Sequence, residues 1–239
     1  MKDPYLPKLI IQKHKELNVV RGDLYQGGIK CRVLTQLFAS DIKEEEVVYA
    51  GCYFGHSGFA LGLAGLATSK RVTLFLPSPY KDTYIQRKVE SLNNVTCHIV
   101  EAEHQDDTVA AAREYAGKTG GYLLPVGFDY PAFTDRYIKL MQSLDIYPEE
   151  VWVSGGSGVS ARCMIKAFPN AQINVINLNV RSNAQLGSPY KVWNIPEPLS
   201  SPAQAGKLPP YSAALYYDAK IWQVVNEHAK HGALVWSIA

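Results

Sequence analysis

The segment Ser154-Gly155-Gly156-Ser157-Gly158-Val159-Ser160 decides the fold, because it joins the apolar run Val151-Trp152-Val153 to a helical run at 161–168. Glycines allow successive backbone N–H groups to converge, and the N-terminus of the following helix adds partial positive charge. The pattern predicts a strand–loop–helix unit that binds an anion, with hydroxyl donors at Ser157 and Ser160. The alternative is a tight turn in which Ser160 only caps the helix.

Other classes of glycine loop do not fit this segment. It lacks the Gly-Lys-Ser/Thr ending of the P-loop and the G-x-G-x-x-G spacing of dinucleotide-binding loops. It is not a nucleophile elbow either, because Gly158 follows Ser157 directly and so comes one position early.

Outward from this segment, short apolar strand patterns alternate with helical patterns. Strands are predicted at 47–50, 71–76, 95–100, 122–125, 151–153, 173–178 and 233–236. Helices are predicted at 31–38, 57–68, about 80–92, 108–118, 133–144, 161–168 and 217–230. Almost continuously apolar strands are typical of sheets covered on both faces. The alternating order predicts an α/β fold of three layers, with parallel sheets, helices on both faces and right-handed crossovers.

The stretch from Ser182 to Tyr211 interrupts this alternation. Its prolines exclude a long regular element, and it also carries the large side chains Tyr190, Trp193 and Ile195. We expect an ordered loop over the surface or the site rather than a linker, because the residues that follow are too few to form a domain.

A second segment, Gly27-Gly28-Ile29-Lys30-Cys31-Arg32, places a lysine after a turn and at the start of a predicted helix. A cation is electrostatically disfavoured at a helix N-terminus. We therefore expect this position to lower the pKa of the Lys30 amine and to favour the neutral form that a Schiff base requires. Taken alone, an exposed lysine after a turn explains the same residues.

The third segment runs from Gly51 to Ala64, where a strand ends in a glycine-bounded loop and enters a helix of small residues. Such a loop can surround a ring or a carboxylate with backbone N–H groups. The alternative is close packing of the helix on a sheet, for which Gly58 and Gly62 are suited. In that case His56 is a half-buried histidine with ordinary hydrogen-bond partners.

Bulk composition excludes several classes of protein. The 239 residues are 47% hydrophobic and 19% charged, and the formal net charge of +2 is too mild to indicate nucleic-acid binding. We see no secretion signal and no apolar stretch long enough for a membrane span. The four cysteines are far apart and the histidines lack metal-ligand spacing. We expect a cytoplasmic protein with reduced, mostly buried thiols and no metal.

In order and context, the three segments resemble the fold type II pyridoxal-phosphate enzymes, the tryptophan synthase β-like superfamily. Residues 27–32 are most similar to the lysine motif of the branch that contains 1-aminocyclopropane-1-carboxylate deaminase and D-cysteine desulfhydrase. The resemblance covers roughly Arg21 to Leu178. Each motif is short, and only the three together are specific.

This resemblance implies a bound pyridoxal 5′-phosphate and a role for each segment. It makes Lys30 the catalytic residue that forms a Schiff base with the cofactor. It assigns the cofactor's phosphate to Gly155, Gly156, Ser157, Gly158 and Ser160. It assigns the substrate to the loop at 51–58, at Tyr53, Gly55, His56, Ser57 and Gly58.

The sequence departs from the family at two points. His56 stands beside the expected position of the cofactor's 3′-oxygen, where the family often has Asn, and this leaves the substrate class open. The chain is also shorter than the usual member.

The resemblance also concerns the cofactor's ring and the domains. In the family the pyridine nitrogen commonly meets a Ser or Thr on a late strand, and Ser237 is the well-placed candidate. The resemblance further implies a large cofactor-binding domain at 1–45 and 120–239 and a small domain at 46–119.

The implied function is that of an enzyme which stabilises a carbanion next to the substrate nitrogen. The resemblance favours a lyase or deaminase that acts on a small amino acid, in a homodimer. An alternative is a compact viral type of enzyme, such as a decarboxylase, that acts on an amino-acid-modified nucleotide. Only this alternative gives the protein a nucleic-acid substrate. Two non-catalytic alternatives are an α/β protein that binds a phosphate ligand and a partner subunit without activity.

Overall fold

The computed structural model describes residues 8–178 and 189–239, and the chain divides into two compact units. Unit 1 contains the chain up to Ile29 together with Thr134–Ala239, and unit 2 contains Lys30–Phe133. The assignment of a large and a small cofactor domain stays a prediction. The part of the proline-rich stretch at 182–188 lies outside the described residues.

The elements of the described residues follow the alternation that the sequence predicts. The strands are β1 (Ile11–His14), β2 (Leu17–Arg21), β3 (Glu46–Ala50), β4 (Arg71–Pro77), β5 (Val95–Val100), β6 (Tyr122–Leu124), β7 (Glu150–Gly155), β8 (Gln172–Asn177), β9 (Lys191–Asn194) and β10 (Leu234–Ser237). The α-helices are α1 (Gly28–Ser40), α2 (Ser57–Ala67), α3 (Tyr84–Glu90), α4 (Gln105–Thr119), α5 (Pro131–Gln142), α6 (Val159–Ala167) and α7 (Trp222–His228).

Unit 1 contains a sheet with the strand order β1-β2-β10-β7-β8-β9. Neighbouring strands are parallel, except that β1 and β2 form an antiparallel pair. On one face, Val235 packs in a buried cluster with Trp222 and Val225 of α7. Trp236, the next residue of β10, points to the opposite face and donates a hydrogen bond to Tyr137 of α5 at 3.0 Å. Helices therefore cover both faces of this sheet.

Unit 2 contains a smaller parallel sheet with the order β5-β4-β3-β6. Val48 and Ala50 of β3 pack with Ala112 and Ala116 of α4. On the other face, a Cβ added to Gly58 of α2 would lie 2.9 Å from a methyl carbon of Leu74. The absent side chain lets α2 lie close to β4, so helices cover both faces of this sheet as well.

The predicted fold class is confirmed, with three differences in detail. The β1–β2 pair was not predicted: β1 is largely polar and half-exposed, and β2, although mostly buried, is only five residues long. Strand β9 lies inside the proline-rich stretch, where no strand was expected. The predicted helix at 217–230 is a 3₁₀ turn at Asp218–Ile221 followed by the shorter α7.

Two further observations concern the whole described chain. None of the helices formed by residues 8–178 and 189–239 has the length and apolar character needed to cross a bilayer. The four cysteines are all free thiols, with Cys31 and Cys163 buried and Cys52 and Cys97 half-buried.

Candidate cofactor site

Lys30 lies in the first turn of α1, and backbone contacts fix the start of this helix. Gly28 has φ 76°, and a Cβ added there would lie 2.5 Å from the carbonyl oxygen of Ile238. Only glycine fits such a position without strain. The N–H of Ile29 donates to the same carbonyl at 2.8 Å. The residue before Lys30 is therefore tied directly to the residue after Ser237.

Within unit 2, the half-buried Lys30 side chain faces an aromatic ring. Its Nζ lies 5.8 Å from the ring centre of Phe128, a distance at which a cation is attracted to the ring face. Phe128 is fully buried and packs on Phe133 and Tyr49. The Lys30 nitrogen thus lies beside a buried aromatic cluster. The expectation that the amine is neutral stays a prediction.

The glycine loop of unit 1 connects β7 to α6 as the sequence predicts. Gly158 is the N-cap of α6, with φ 75°, and no side chain caps the first turn of the helix. The backbone N–H groups at this helix start therefore lack a side-chain acceptor, as in sites that bind anions. The alternative interpretation, in which Ser160 is the N-cap, is wrong because Ser160 is the second residue of the helix.

The hydroxyl of Ser160 belongs to a buried hydrogen-bonded chain. Nε1 of Trp236 donates to the hydroxyl oxygen of Tyr137 at 3.0 Å, and the Tyr137 and Ser160 hydroxyls share a second hydrogen bond. Burial raises the pKa of the Tyr137 phenol, so the phenol keeps its proton. This chain connects α5, the start of α6 and β10.

A buried carboxylate stabilises the ends of the two central strands of unit 1. Asp218 is only 2% exposed, and Oδ1 accepts a hydrogen bond from the hydroxyl of Ser154 at 2.6 Å. Its Oδ2 accepts the backbone N–H groups of Ile238 and Ala239, each at 2.9 Å. The end of β7, just before the glycine loop, is thereby linked to the segment that follows Ser237.

Ser237 ends β10 as a buried hydroxyl without a protein partner. The residue is 1% exposed, and its Oγ makes no hydrogen bond within the described residues. A buried hydroxyl that lacks a partner costs free energy unless a ligand satisfies it. This atom fits the role of donor to a ligand acceptor such as a pyridine nitrogen.

In unit 2, the loop at 51–56 connects β3 to α2, whose N-cap is His56. Burial and, secondarily, the charge of Lys88 lower the pKa of His56 to about 4, so its imidazole is neutral near pH 7. The Nδ1 atom of His56 is buried and has no hydrogen-bond partner in the described chain. The loop thus presents a neutral imidazole at an uncapped helix N-terminus.

The other residues predicted to bind substrate are positioned by hydrogen bonds and packing contacts within unit 2. Tyr53 is buried, and its carbonyl oxygen accepts the hydroxyl of Thr83 at 2.6 Å. Cys52 accepts the backbone N–H of Gly55 on its sulfur. Ser57 shares a hydrogen bond with the phenol of Tyr49. Gly58 faces Leu74, which is the packing role considered as an alternative.

Each unit therefore contains one group of the predicted residues. Unit 1 brings Ser237 and the residues at 155–160 to the ends of adjacent strands, and unit 2 contains Lys30 and the residues at 53–58. No local pattern in the sequence singled out Asp218 or Tyr137. Only the acidic character of Asp218, beside Tyr216 and Tyr217, was visible in the sequence.

Comparison with known proteins identifies the fold. No family model matches the sequence, and no curated protein matches it significantly. An ACC deaminase homologue of known structure superposes with a TM-score of 0.79 at 14% identity, over 98% of this chain and 90% of that one. O-ureido-L-serine synthase superposes with a TM-score of 0.66 at 15% identity, over 97% and 87% of the two chains.

A third similar structure is threonine deaminase isoform 2 from Solanum lycopersicum. Its TM-score is 0.64 at 12% identity, over 93% of this chain and 74% of that one. At these identities the likeness concerns the fold. The chain has the tryptophan synthase β-like fold that the resemblance implied.

Proposed function

We propose that the protein is a pyridoxal-phosphate-dependent enzyme with lyase or deaminase activity on a small amino acid. The observation that carries the proposal is the match of nearly the whole chain to an ACC deaminase homologue. The similar structures also include threonine deaminase and the diaminopropionate ammonia lyase of Escherichia coli. Each of these names describes the removal of an amino group.

The residues of the chain fit the cofactor. Ser237 offers a buried hydroxyl that has no hydrogen-bond partner among residues 8–178 and 189–239, which suits the pyridine nitrogen. The uncapped start of α6 offers backbone N–H groups, which suit a phosphate. Lys30 supplies the amine that an aldehyde requires. When bound, the cofactor supplies a sink for negative charge on the carbon next to the substrate nitrogen.

In this mechanism the protein's own groups bind, orient and move a proton. The glycine loop fixes the phosphate through N–H groups that need no reorganisation. The Ser237 hydroxyl orients the ring without giving it a charge, because a hydroxyl is far too weak an acid to protonate a pyridine. Lys30, once its nitrogen is free, accepts or returns the proton at the substrate carbon next to the amino group.

The loop at 51–58 is proposed to bind the substrate. The uncapped N-terminus of α2 favours a carboxylate, which every amino acid carries. The neutral His56 can donate or accept one hydrogen bond beside that carboxylate without neutralising it. A small substrate is favoured, since the loop itself carries the bulky residues Tyr53 and Phe54.

Spectroscopy and trapping test this proposal. Purified protein with the cofactor should absorb at about 410–430 nm, as a protonated imine does, and borohydride should attach the label to Lys30. Lys30→Ala should abolish the band and the trapping. Lys43→Ala is the matched control, because Lys43 lies just beyond the other end of α1, is exposed and donates a hydrogen bond to the Ser40 carbonyl at 3.1 Å. It should keep both signals.

A second measurement addresses the reaction. A panel of small amino acids should include at least one that releases ammonia in the presence of the wild-type protein and not of Lys30→Ala. Retained absorption and unchanged trapping in Lys30→Ala would contradict the lysine assignment. Binding of the cofactor without any imine band would instead favour a module that binds phosphate ligands.

A further inference from the structure

The second glycine of the loop at 155–158 lies directly against a tyrosine. A Cβ added to Gly156 would lie 2.2 Å from the hydroxyl oxygen of Tyr217 and 3.1 Å from the ring carbon that carries it. Real Cβ atoms do not approach another atom so closely, so the phenol occupies the space that any side chain at this position would need. Gly156 therefore has a role beyond loop flexibility, because it admits a hydroxyl to the loop.

The position of this hydroxyl is fixed from the backbone. The N–H of Tyr217 donates to the Ala214 carbonyl at 2.9 Å. The next residue is Asp218, whose carboxylate accepts three hydrogen bonds from the strand ends that flank the loop. A tyrosine has only two side-chain torsions, so an anchored backbone limits its hydroxyl to a few positions.

The Tyr217 hydroxyl can add a hydrogen-bond donor to the anion site at this loop. The hydroxyl of Ser160 is buried and already shares a hydrogen bond with Tyr137. The first turn of α6 has no side-chain cap, so its polar partners for an anion are backbone N–H groups and nearby hydroxyls. A phenol hydroxyl beside Gly156 can donate one charge-assisted hydrogen bond to an oxygen of a phosphate.

We propose that the Tyr217 hydroxyl binds the phosphate group of the cofactor, at the side of the loop that Gly156 leaves open. This inference rests on the proposed function, because it concerns the same phosphate. It makes Tyr217 a binding residue, positioned by Asp218, and it adds a side chain to a site that the sequence motif describes by glycine and serine alone.

The test compares two ligands that differ only in the phosphate. The affinities of wild-type protein and Tyr217→Phe are measured by absorption titration with pyridoxal 5′-phosphate and with pyridoxal. Loss of one hydrogen bond to a charged group should weaken binding of the phosphorylated ligand about 10- to 100-fold. Binding of pyridoxal should change less than about threefold, within the effect of one neutral contact.

Tyr211→Phe is the matched control. Tyr211 lies in the same segment, but its described contacts are made by its ring, with the Arg21 guanidinium at 5.4 Å and the Trp222 ring at 5.8 Å. It should leave both affinities unchanged. Equal losses for the two ligands in Tyr217→Phe, or no loss for either, would overturn the inference.

A second variant makes the test independent of the behaviour of Tyr217→Phe. Gly156→Ala keeps the phenol but forces it away from the loop, so it should produce the same selective loss for the phosphorylated ligand. If wild-type protein binds neither ligand, the proposed function fails together with the inference. If wild-type protein forms the imine with Lys30 and both variants keep the preference for the phosphorylated ligand, the inference alone fails.

Discussion

Two loops of the molecule share one design, since each follows a buried parallel strand and ends at the N-terminus of a helix. The loop after β7 is held by a buried charge, the Asp218 carboxylate, which accepts three hydrogen bonds. The loop after β3 is held by neutral groups, mainly the Thr83 hydroxyl on the Tyr53 carbonyl. Among the described residues, two buried atoms of this loop also have no hydrogen-bond partner, the Tyr53 hydroxyl and Nδ1 of His56.

This difference in support matches the two functions that we propose, which are phosphate binding by the loop after β7 and substrate binding by the loop after β3. A phosphate, which is the same group in every reaction cycle, is best bound by hydrogen-bond donors that are already in place, because the protein then does not reorganise on binding. A loop that accepts a substrate and releases a product needs groups whose hydrogen bonds are completed only by the ligand. The support of the unit 1 loop fits the first of these proposed functions, and that of the unit 2 loop fits the second.

The largest test of this comparison is Asp218→Ala. The substitution leaves the Ser154 hydroxyl and two backbone N–H groups buried without their acceptor, which should cost about 3–5 kcal/mol of unfolding free energy. Urea denaturation measures the loss. Thr83→Ala, which removes the corresponding support of the other loop and also the N-cap of α3, should cost about 1–2 kcal/mol. Equal losses would break the comparison.

An exposed acid controls for the removal of charge. Asp82→Ala disrupts an ion pair with Arg87 at 2.9 Å, but both side chains are largely exposed. Such pairs contribute little, so the variant should lose less than about 1 kcal/mol.

The glycines of the two loops should also differ. In Gly156→Ala the new methyl group meets the Tyr217 phenol, whose backbone is anchored, and we expect a loss of about 1–3 kcal/mol. In Gly58→Ala it meets methyl groups of Leu74 and Val89, at 2.9 and 3.4 Å, which can move. The second loss should be clearly smaller in urea denaturation. A larger loss for Gly58→Ala would mean that the unit 2 loop is the more tightly packed one.

Acid should act on the unit 2 loop through His56. Its pKa in the folded protein, about 4, lies below the ordinary value of 6.5, so the unfolded chain binds a proton first as the pH falls. Stability is therefore lost between about pH 6.5 and pH 4, on the order of 1–2 kcal/mol after allowance for partial exposure. His56→Gln should remove this part of the loss when unfolding is measured near pH 8 and about pH 4.5. An unchanged pH dependence would contradict a buried neutral imidazole.

The smallest expected effect concerns two buried serines at the ends of adjacent strands. Ser237 has no hydrogen-bond partner in the described chain, so Ser237→Ala should leave the cofactor-free protein equally stable or more stable, by up to about 1 kcal/mol. Ser154→Ala is the matched control, because this hydroxyl donates to Asp218 and its loss should destabilise by about 1–2 kcal/mol. When the cofactor is bound, Ser237→Ala should change its absorption, because the hydroxyl no longer contacts the ring nitrogen. Ser154→Ala should leave the absorption unchanged.

Much of the fold could be predicted from local patterns. Apolar strands such as β4 and β8, each followed or preceded by a helical pattern, were recognisable because burial on both faces makes a strand apolar throughout. Strand β1, with the sequence Ile-Gln-Lys-His, was not recognisable because an edge strand is half-exposed and its partner alone defines it. Strand β9 was hidden by the prolines around it.

The candidate site divides in the same way. Lys30 and the glycine loop are marked by their immediate neighbours in the sequence, whereas Ser237 was found through the family resemblance. Asp218 is not marked in either way, because its partner Ser154 is 64 residues away. Tyr137 and Trp236 are 99 residues apart, and no local pattern relates them.

The sequence by itself determined most of the segments that become strands and helices, and the glycine turns between them, since apolar periodicity and glycine act over a few residues. Only the tertiary structure decided what supports those turns: a carboxylate under one loop, and a phenol that occupies the space beside Gly156. The physical reason is that a buried polar group is stabilised by whichever partner the fold brings within hydrogen-bond distance, and that partner can come from any part of the chain.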